Sequence, residues 1–354
     1  MTDSVLREDM SLCAKTLNDN SLLPALSGRT VFITGATGLI GSQMVRTLLE
    51  ANRLYGSDIT VAAFIRNEQK AQAMFEDVLP NEKLDFVIGD LSRPVEYDKP
   101  VDYVVHGASA TGSKFFVESP VETIQTAIYG TDRLLQFARD KQVSGMVYLS
   151  SLEVYGVPDG KNPTISESDY GLIDPLSVRS SYSEGKRMVE CLCASYASEY
   201  GVPVKVARLS QTFGAGVEYH DGRVFAEFAR CLMEKKDIVL HTDGSTVRSY
   251  CYTADAVCAL YTILLKGESG EAYNVTNMDT ACSIREMAEL VAGLEPEAGV
   301  NVRIEIPEDL ASFGYNPQMV IRLDASKLKS IGYVPSVGME DMFRRTIRSM
   351  RERI

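Results

Sequence analysis

The feature that most constrains this chain is a run of three glycines, Gly35, Gly38 and Gly41, between an apolar segment and an amphipathic one. The apolar segment, residues 30–34, has the β-branched and aromatic composition of a buried strand. The segment Leu39–Glu50 repeats its apolar residues with the period of a helix. Because glycines at such a junction permit a tight turn and close packing of the helix on the strand, we expect a strand–turn–helix unit here.

The alternation of strand and helix continues well beyond the glycines. Further apolar strands are predicted at residues 59–65, 84–88, 101–106, 145–150 and 204–209, and further helices at residues 68–75, 120–141 and 181–200. Strands that are apolar along their whole length and separated by helices are typical of parallel sheets covered on both faces. We therefore predict an α/β fold, a Rossmann-like doubly wound parallel sheet with a smaller C-terminal lobe, in which the strands are shorter.

The glycine turn also indicates a ligand. A helix N-terminus presents backbone N–H groups and the positive end of a dipole, and the glycines let a pyrophosphate approach them. This pattern predicts a bound dinucleotide, NAD or NADP, although the spacing Gly-x-x-Gly-x-x-Gly differs from the standard fingerprint. The residues predicted to contact the dinucleotide here are Gly35, Thr37, Gly38, Leu39, Ile40 and Gly41.

Later strand ends should complete the cofactor site. An acid commonly ends the second strand and holds the adenosine ribose, but here Arg66 stands at that end and Asp58 begins the strand. Arg66 could grip a 2′-phosphate, which would mean NADP, or it could stack on adenine or lie in solvent. Asp90 and Leu91, after the third strand, and Ala108, after the fourth, are predicted to line the cofactor.

A second group of residues carries catalytic chemistry. Tyr182 and Lys186 are four residues apart and so share one face of a predicted helix, downstream of Ser151 at a strand end. A tyrosine has an ordinary pKa of about 10, and a neighbouring ammonium favours its phenolate. The phenolate can take a proton from a sugar hydroxyl while the carbon loses a hydride to the nicotinamide. Ser151 would hold that hydroxyl oxygen, and Lys186 would also bond the nicotinamide ribose.

The order of these motifs resembles the extended short-chain dehydrogenase/reductases of the nucleotide-sugar epimerase/dehydratase group. The likeness covers roughly residues 29–335. It is carried by residues 35–41, 148–156, 182–186, 208–214, 248–255 and 272–275. Within that group, residues 151–155, 178–187 and 221–224 resemble the UDP-glucuronate decarboxylases in particular.

The resemblance implies roles for individual residues. Ser151, Tyr182 and Lys186 would be the catalytic triad, and Glu153 would lie near the C5–C6 end of the sugar. Substrate contacts are implied for the diphosphate or sugar carboxylate and for the nucleotide base, at Gln211, Arg223, Val224, His241 and Arg248. The resemblance also implies a homodimer, because in relatives the helices corresponding to residues 120–141 and 181–200 form a four-helix interface.

Three positions depart from the group's pattern. Leu152 stands where the dehydratases of the group have a proton-donating aspartate, which disfavours 4,6-dehydration. Ala127 replaces a common asparagine that supports the group's proton route. Arg66 replaces the acid that favours NAD over NADP.

These features together favour an NAD(P)-dependent enzyme that converts a nucleotide-diphosphate sugar through a 4-keto intermediate. The sugar is expected to be UDP-linked, and Glu153 favours decarboxylation of UDP-glucuronate. The alternatives are a 4-epimerase and a non-catalytic dinucleotide-binding sensor. An anionic sugar would need arginines turned toward it, and Arg179, Arg187, Arg223 and Arg248 lie in the right segments.

The motifs divide the chain into three parts. Residues 1–28 are expected to form an N-terminal helical arm, because their apolar residues have helical spacing. Residues 29–210 are the predicted NAD(P)-binding domain with the catalytic residues. Residues 211–354 are predicted to be mainly a substrate-binding lobe, with segments that return to the first domain.

Composition narrows the possible partners and location. The chain has 36 basic and 48 acidic residues and a net charge of -12, so neither nucleic acid nor an anionic membrane is an expected partner. No apolar stretch is long enough to span a bilayer, and we expect no signal segment. The 7 cysteines show no metal-binding spacing, so we expect no metal site and reduced thiols in the cytoplasm. His106 ends a buried strand and is expected to pack rather than to catalyse.

Overall fold

A computed structural model describes residues 3–109, 112–160, 162–307 and 319–354. Its strands are β1 Thr30–Thr34, β2 Thr60–Ile65, β3 Leu84–Ile88, β4 Tyr103–His106, β5 Gly145–Ser151, β6 Val204–Leu209, β7 Gln211–Phe213, β8 Ile238–Leu240, β9 Val247–Tyr252, β10 Ala272–Val275, β11 Asn277–Ser283 and β12 Val302–Ile304. Its helices are α1 Ser4–Asp19, α2 Leu23–Leu26, α3 Leu39–Tyr55, α4 Glu68–Met74, α5 Ser113–Glu118, α6 Pro120–Asp140, α7 Ser181–Tyr200, α8 Val224–Glu234, α9 Thr253–Lys266, α10 Ile284–Gly293, α11 Ser326–Ser330 and α12 Met339–Arg353.

The main sheet has the strand order β10-β6-β5-β4-β1-β2-β3, and every pairing in it is parallel. The chain builds outward from β1 through β2 to β3 and then places β4 on the other side of β1. This reversal leaves a crevice at the carboxyl ends of β1 and β4, where ligands bind in open α/β sheets. The predicted doubly wound fold is therefore confirmed.

Successive residues of β1 face opposite sides of the sheet and bury themselves in different cores. Val31 and Ile33 pack in the same core as α3 and α9. Phe32 packs in the other core with Leu134 of α6 and Val189 of α7. Helices on both faces explain why the strands are apolar throughout.

The chain after residue 210 supplies both the smaller lobe and part of the main domain. The strand β10 pairs with β6 at the edge of the main sheet, and α9 is buried from Thr253 to Leu264. The remaining strands form a three-stranded sheet, β11-β9-β7, and a two-stranded sheet, β12-β8. Segments of the C-terminal part thus alternate between the main domain and the smaller lobe. The domain boundary at residue 210 stays a prediction.

One helix of the cofactor region is longer than predicted. Helix α3 extends to Tyr55, beyond the predicted end at Glu50, and stops where Gly56 adopts φ 63°. Glycine enters this left-handed region without the steric cost that other residues bear, so it ends the helix.

The N-terminal segment packs against the body of the protein. Helix α1 contacts α3, α9 and α12. Cys13 and Leu17 of α1 and Leu23 and Leu26 of α2 are buried in the same core as β1. Within the described ranges, no helix is long and apolar enough to cross a membrane, and no three metal-ligating side chains cluster.

Candidate active site

The candidate site lies at the carboxyl edge of the main sheet, where three strand ends meet. The glycine turn follows β1, residues 107–109 follow β4, and Ser151 ends β5. Tyr182 and Lys186 reach the same edge from the first turns of α7. The topology therefore brings the predicted cofactor and catalytic segments into one crevice.

Close backbone approach explains each glycine of the turn. Gly35 has φ 70°, and a Cβ there would lie 2.6 Å from the carbonyl carbon of Gly107. A Cβ at Gly41 would lie 2.1 Å from the carbonyl oxygen of Gly35. Gly38 precedes α3, and among the described residues no side chain caps that helix. The first N–H groups of α3, at Leu39 and Ile40 beside Thr37, are therefore available to a pyrophosphate, so the turn fits a dinucleotide.

The adenosine end of the predicted cofactor site contains both an arginine and an acid. Arg66 is exposed directly after β2. Asp90 accepts a 2.7 Å hydrogen bond from the backbone N–H of Ser92, which lowers its pKa, and the charge of Arg66 lowers it further. A 2′-phosphate bound by Arg66 would lie near this carboxylate, so the pair favours NAD over NADP.

The two other predicted cofactor contacts are fixed through their backbones. The carbonyl of Leu91 accepts a 2.8 Å hydrogen bond from Arg133. The N–H of Ala108 donates to Thr34 Oγ1 at 3.2 Å. Both residues therefore hold defined positions at the edge where the cofactor is expected.

The three predicted catalytic residues lie together. Ser151 lies close enough to Tyr182 to lower the pKa of its hydroxyl. Lys186 Nζ donates to the carbonyl oxygen of Leu149 at 2.7 Å and lies 5.7 Å from the centre of the Tyr182 ring. The arrangement can place a sugar hydroxyl between Ser151 and Tyr182 with an ammonium behind them.

Burial sets the protonation of this pair. It lowers the pKa of Lys186 to about 8, although the charge of Glu190 opposes the shift. Burial also raises the pKa of Tyr182 to about 12, although the nearby Ser151 hydroxyl lowers it. Part of that burial comes from Phe116, whose ring stacks on Tyr182 with 4.2 Å between centroids and 13° between planes. Tyr182 is therefore a neutral phenol at neutral pH until a cation binds beside it.

His106 is packed, as predicted, and its neighbours define its tautomer. Thr131 Oγ1 donates to the carbonyl of Ala127 at 2.7 Å, so it must accept from Nε2 of His106 at 3.0 Å. The other ring nitrogen, Nδ1, then accepts from Thr34 Oγ1 at 2.8 Å. Burial, helped by the charge of Lys186, lowers the pKa of His106 to about 3. The histidine is thus a neutral structural link between β1, β4 and α6.

Glu153 follows Ser151 closely, lies near Arg179 and acts electrostatically on Arg248. Its Oε2 accepts a 3.3 Å hydrogen bond from Ser183, and its Oε1 lies 4.0 Å from Arg179. Arg248 is buried, and its Nη1 has no hydrogen-bond partner among the described residues. Burial lowers the pKa of Arg248, whereas the charge of Glu153 raises it. A buried guanidinium with an unused donor fits an anionic ligand.

The other predicted substrate residues lie in the smaller lobe. Gln211 pairs with Tyr250 across β7 and β9, two residues from Arg248, so the two share a sheet face. Val224 begins α8 directly after Arg223. His241 follows β8, and its Nδ1 lies 3.2 Å from the carbonyl oxygen of Glu305.

Two of the four arginines considered for an anionic sugar bind groups of the protein itself. Arg187 donates to the carbonyl oxygens of Val154 at 2.6 Å and Gly171 at 2.7 Å, so its donors are used by backbone. Arg223 forms an ion pair with Asp221 at 2.6 Å on the surface. Arg179 and Arg248 are the two near Glu153.

Sequence reasoning missed a buried ion pair behind the catalytic residues. Glu190, one turn after Lys186, accepts a hydrogen bond from Ser150 Oγ at 2.5 Å and pairs with Arg208 at 2.7 Å. Arg208 also donates to the hydroxyls of Tyr155 and Tyr170. The four-residue spacing from Lys186 to Glu190 was the available signal, but it does not separate an inward glutamate from a solvated one.

Comparisons with known proteins agree with this geometry. Residues 31–276 match the model of the NAD dependent epimerase/dehydratase family. UDP-glucuronic acid decarboxylase 6 of Arabidopsis thaliana is 29% identical over 318 residues, which are 89% of this chain and 87% of the relative.

Two solved structures share the fold. The dTDP-glucose 4,6-dehydratase DesIV of Streptomyces venezuelae, solved with NAD bound, has a TM-score of 0.73 and 26% identity over 91% of this chain and 97% of its own. The UDP-glucuronic acid 4-epimerase of Bacillus cereus, in complex with UDP-glucuronic acid and NAD, has a TM-score of 0.73 and covers 92% of this chain and 100% of its own. Its identity of 20% bears on the fold alone.

Proposed function

This chain belongs to the NAD-dependent epimerase/dehydratase family, and from that premise we propose that it decarboxylates UDP-glucuronate through a 4-keto intermediate. The family is one of NAD-dependent enzymes, which sets aside the non-catalytic sensor. One observation carries the choice of substrate. Arg248 is buried within the electrostatic reach of Glu153, and its Nη1 has no hydrogen-bond partner in the described part of the chain.

Tyr182 and Ser151 perform the first step on the C4 hydroxyl. Ser151 holds the hydroxyl oxygen, and the Tyr182 phenolate takes its proton. The glycine turn would hold NAD, which would supply the acceptor for the hydride that leaves C4. The ammonium of Lys186 favours the phenolate, and so would the positive charge of an oxidised nicotinamide. The sugar leaves this step as a 4-ketone.

The ketone makes the carboxylate at C6 part of a β-keto acid. The bond between C5 and C6 then breaks, CO2 leaves, and the electron pair is held as the enolate of the C4 ketone. In our proposal Arg248 and Arg179 bind the anionic groups of the substrate, and Glu153 lies near C5. The carboxylate needs no proton donor at C6, which agrees with the position of Leu152.

The environment of Leu152 also supports a second candidate, a 4-epimerase. Leu152 is 2% exposed and packs with Val154, Ile165, Ile321 and Leu323. Position 152, where the dehydratases of the group have a proton-donating aspartate, therefore holds no proton donor in this chain. A 4-epimerase requires only that the ketone rotate and take its hydride back on the other face.

We also propose that the enzyme is a cytoplasmic homodimer. Helices α6 and α7 pack together, yet they leave large apolar side chains exposed. Such a patch is typical of an interface. The exposed residues are Val121, Ile124, Tyr129, Met188 and Tyr200. The seven cysteines are all free thiols, as expected in a reducing compartment.

Proton NMR of the enzyme with NAD and each of three sugars tests the proposal. UDP-glucuronate should yield a UDP-pentose or its 4-ketone, whereas UDP-glucose and UDP-N-acetylglucosamine should remain unchanged. Interconversion of axial and equatorial H4 signals in a neutral sugar, with UDP-glucuronate untouched, would assign a 4-epimerase instead.

A further inference from the structure

The N-terminal arm lies outside the family match, which begins at residue 31. Its helix α1 nevertheless carries two buried acids, Asp3 at its N-cap and Asp9 in its interior, with 7% and 1% exposure. Buried carboxylates are stable only when other groups satisfy them. Asp3 caps α1 by accepting from the N–H of Leu6, and the other groups that satisfy these two acids come from α12 and β9.

Asp9 holds one side of α12 against β9. Its Oδ1 accepts from Arg345 Nη2 at 2.5 Å and Nε at 3.1 Å, and its Oδ2 accepts from the Tyr252 hydroxyl at 2.6 Å. The Tyr252 hydroxyl in turn accepts from the N–H of Ala215 at 3.4 Å. The carboxylate therefore fixes a tyrosine that touches the backbone after β7.

Asp3 holds the far end of α12 on the same backbone. Its Oδ2 accepts from the Ser349 hydroxyl at 2.5 Å. The Oγ of Ser349 in turn accepts from the N–H of Gly216 at 2.9 Å. Arg353 lies 3.4 Å from Asp3 and donates to the carbonyls of Gly216 and Val217. Both acids of the arm thus act, through α12 and Tyr252, on residues 214–217.

The opposite side of this segment rests on the cofactor helix. Gln43 of α3 donates to the carbonyl of Ala215 at 2.7 Å. Gly216 has φ 86°, and a Cβ on it would lie 3.5 Å from both Gln43 and Leu39. Along the chain, the segment connects β7, which begins with Gln211, to Arg223 before α8. It therefore lies between the predicted cofactor and substrate contacts.

We propose that the N-terminal arm is part of the substrate site, with Asp3 and Asp9 as positioning residues for residues 214–217. This inference rests on the proposed function, because Gln211 and Arg223 are substrate contacts only under it. The arm contacts one side of residues 214–217 through α12 and Tyr252, and Gln43 of α3 contacts the other side. The contacts of Asp3 and Asp9 then help to set the distance between the glycine turn and the substrate-binding lobe.

Hydrogen exchange of the full-length protein tests the contact without any substrate. In Asp3→Asn and Asp9→Asn, exchange of the backbone amides of residues 214–217 should quicken about tenfold, because a charged hydrogen bond has become a neutral one. Ser11→Ala is the matched control, since Ser11 bonds Glu50 of α3 and, among the described residues, makes no hydrogen bond to α12 or to this segment. Unchanged exchange in both asparagine variants would overturn the proposal whatever the substrate is.

Steady-state kinetics with UDP-glucuronate and saturating NAD test the function of the contact. The KM for UDP-glucuronate should rise about tenfold in both asparagine variants, with kcat within twofold, and Ser11→Ala should match the wild type. Faster exchange with an unchanged KM would overturn the positioning role and leave the proposed function intact. Absence of turnover by the wild type would instead count against the proposed function, and the exchange result would still decide the contact.

Discussion

The ammonium of Lys186 donates a 2.7 Å hydrogen bond to the carbonyl of Leu149, inside the protein. This bond fastens α7 to β5 two residues before Ser151. Tyr182, one turn before Lys186 on the same helix face, is thereby placed against Ser151. The catalytic geometry thus depends on one helix–strand contact made by a residue that is itself catalytic.

The buried ammonium predicts a pH dependence of stability. The folded-state pKa of Lys186, about 8, lies below its ordinary value of 10.5, so the folded protein binds this proton less tightly than the unfolded chain. Stability should therefore rise as pH rises above about 8, by about 2 kcal/mol between pH 8 and 9.5. Urea unfolding should show this rise for the wild type and lose it in Lys186→Met. Equal slopes in the two proteins would contradict the burial of the charge.

Phe116 is expected to control the ionisation of Tyr182. Removing its ring in Phe116→Ala admits water to the phenol, so the pKa of Tyr182 should fall from its raised value. The rising limb of kcat/KM against pH should move about one unit lower. Phe115→Ala removes an exposed neighbouring ring and should leave the limb in place. If the rising part of the kcat/KM pH profile does not move in Phe116→Ala, the stacking of Phe116 does not set the pKa of Tyr182.

The pair of Glu190 and Arg208 should be strongly coupled. Glu190→Gln leaves the guanidinium of Arg208, 1% exposed, without its carboxylate, so the free energy of unfolding should fall by about 3–5 kcal/mol. Adding Arg208→Met removes the uncompensated charge and should recover a large share of the loss. Chemical denaturation of the two single variants and the double variant measures the coupling. Simply additive losses would argue against a direct ion pair.

Arg248 should show opposite effects on binding and on stability. Arg248→Met removes a buried guanidinium whose Nη1 lacks a hydrogen-bond partner within the described ranges, so the free energy of unfolding of the ligand-free protein should rise by about 1 kcal/mol. The KM for UDP-glucuronate should rise about 100-fold, because a charged contact to an anion is lost. Arg285→Met, at an exposed arginine that pairs with Glu289, should change neither quantity. A destabilised protein with an unchanged KM would make Arg248 a structural residue.

The sequence predicted those parts of the site that follow from periodicity and topology. Strand ends meet at one edge of a parallel sheet, so Gly35, Ser151 and Ala108 had to converge. Helical spacing placed Tyr182 and Lys186 on one face. Residues with long, flexible side chains were less predictable, because spacing does not reveal which acid or carbonyl they reach. Arg187 binds two backbone carbonyls, and Arg223 binds Asp221.

Long-range packing was beyond the sequence for a related reason. Phe116 covers Tyr182 from a helix 66 positions earlier, and nothing local to either residue specifies that contact. The acids of α1 similarly find their partners more than 240 positions away, on β9 and α12. A single sequence shows that Asp9 is charged on an amphipathic helix, which ordinarily indicates a solvated face.

The release of carbon dioxide from UDP-glucuronate labelled with ¹³C at C6 tests the central claim most directly. With NAD present, the wild type should release labelled CO2 into the headspace or bicarbonate pool, and Tyr182→Phe should release it at least about 100-fold more slowly. NAD binding by Tyr182→Phe, measured by calorimetry, should stay within a few fold of the wild type. Retention of the label at C6 by wild-type protein that binds NAD and UDP-glucuronate would contradict decarboxylation.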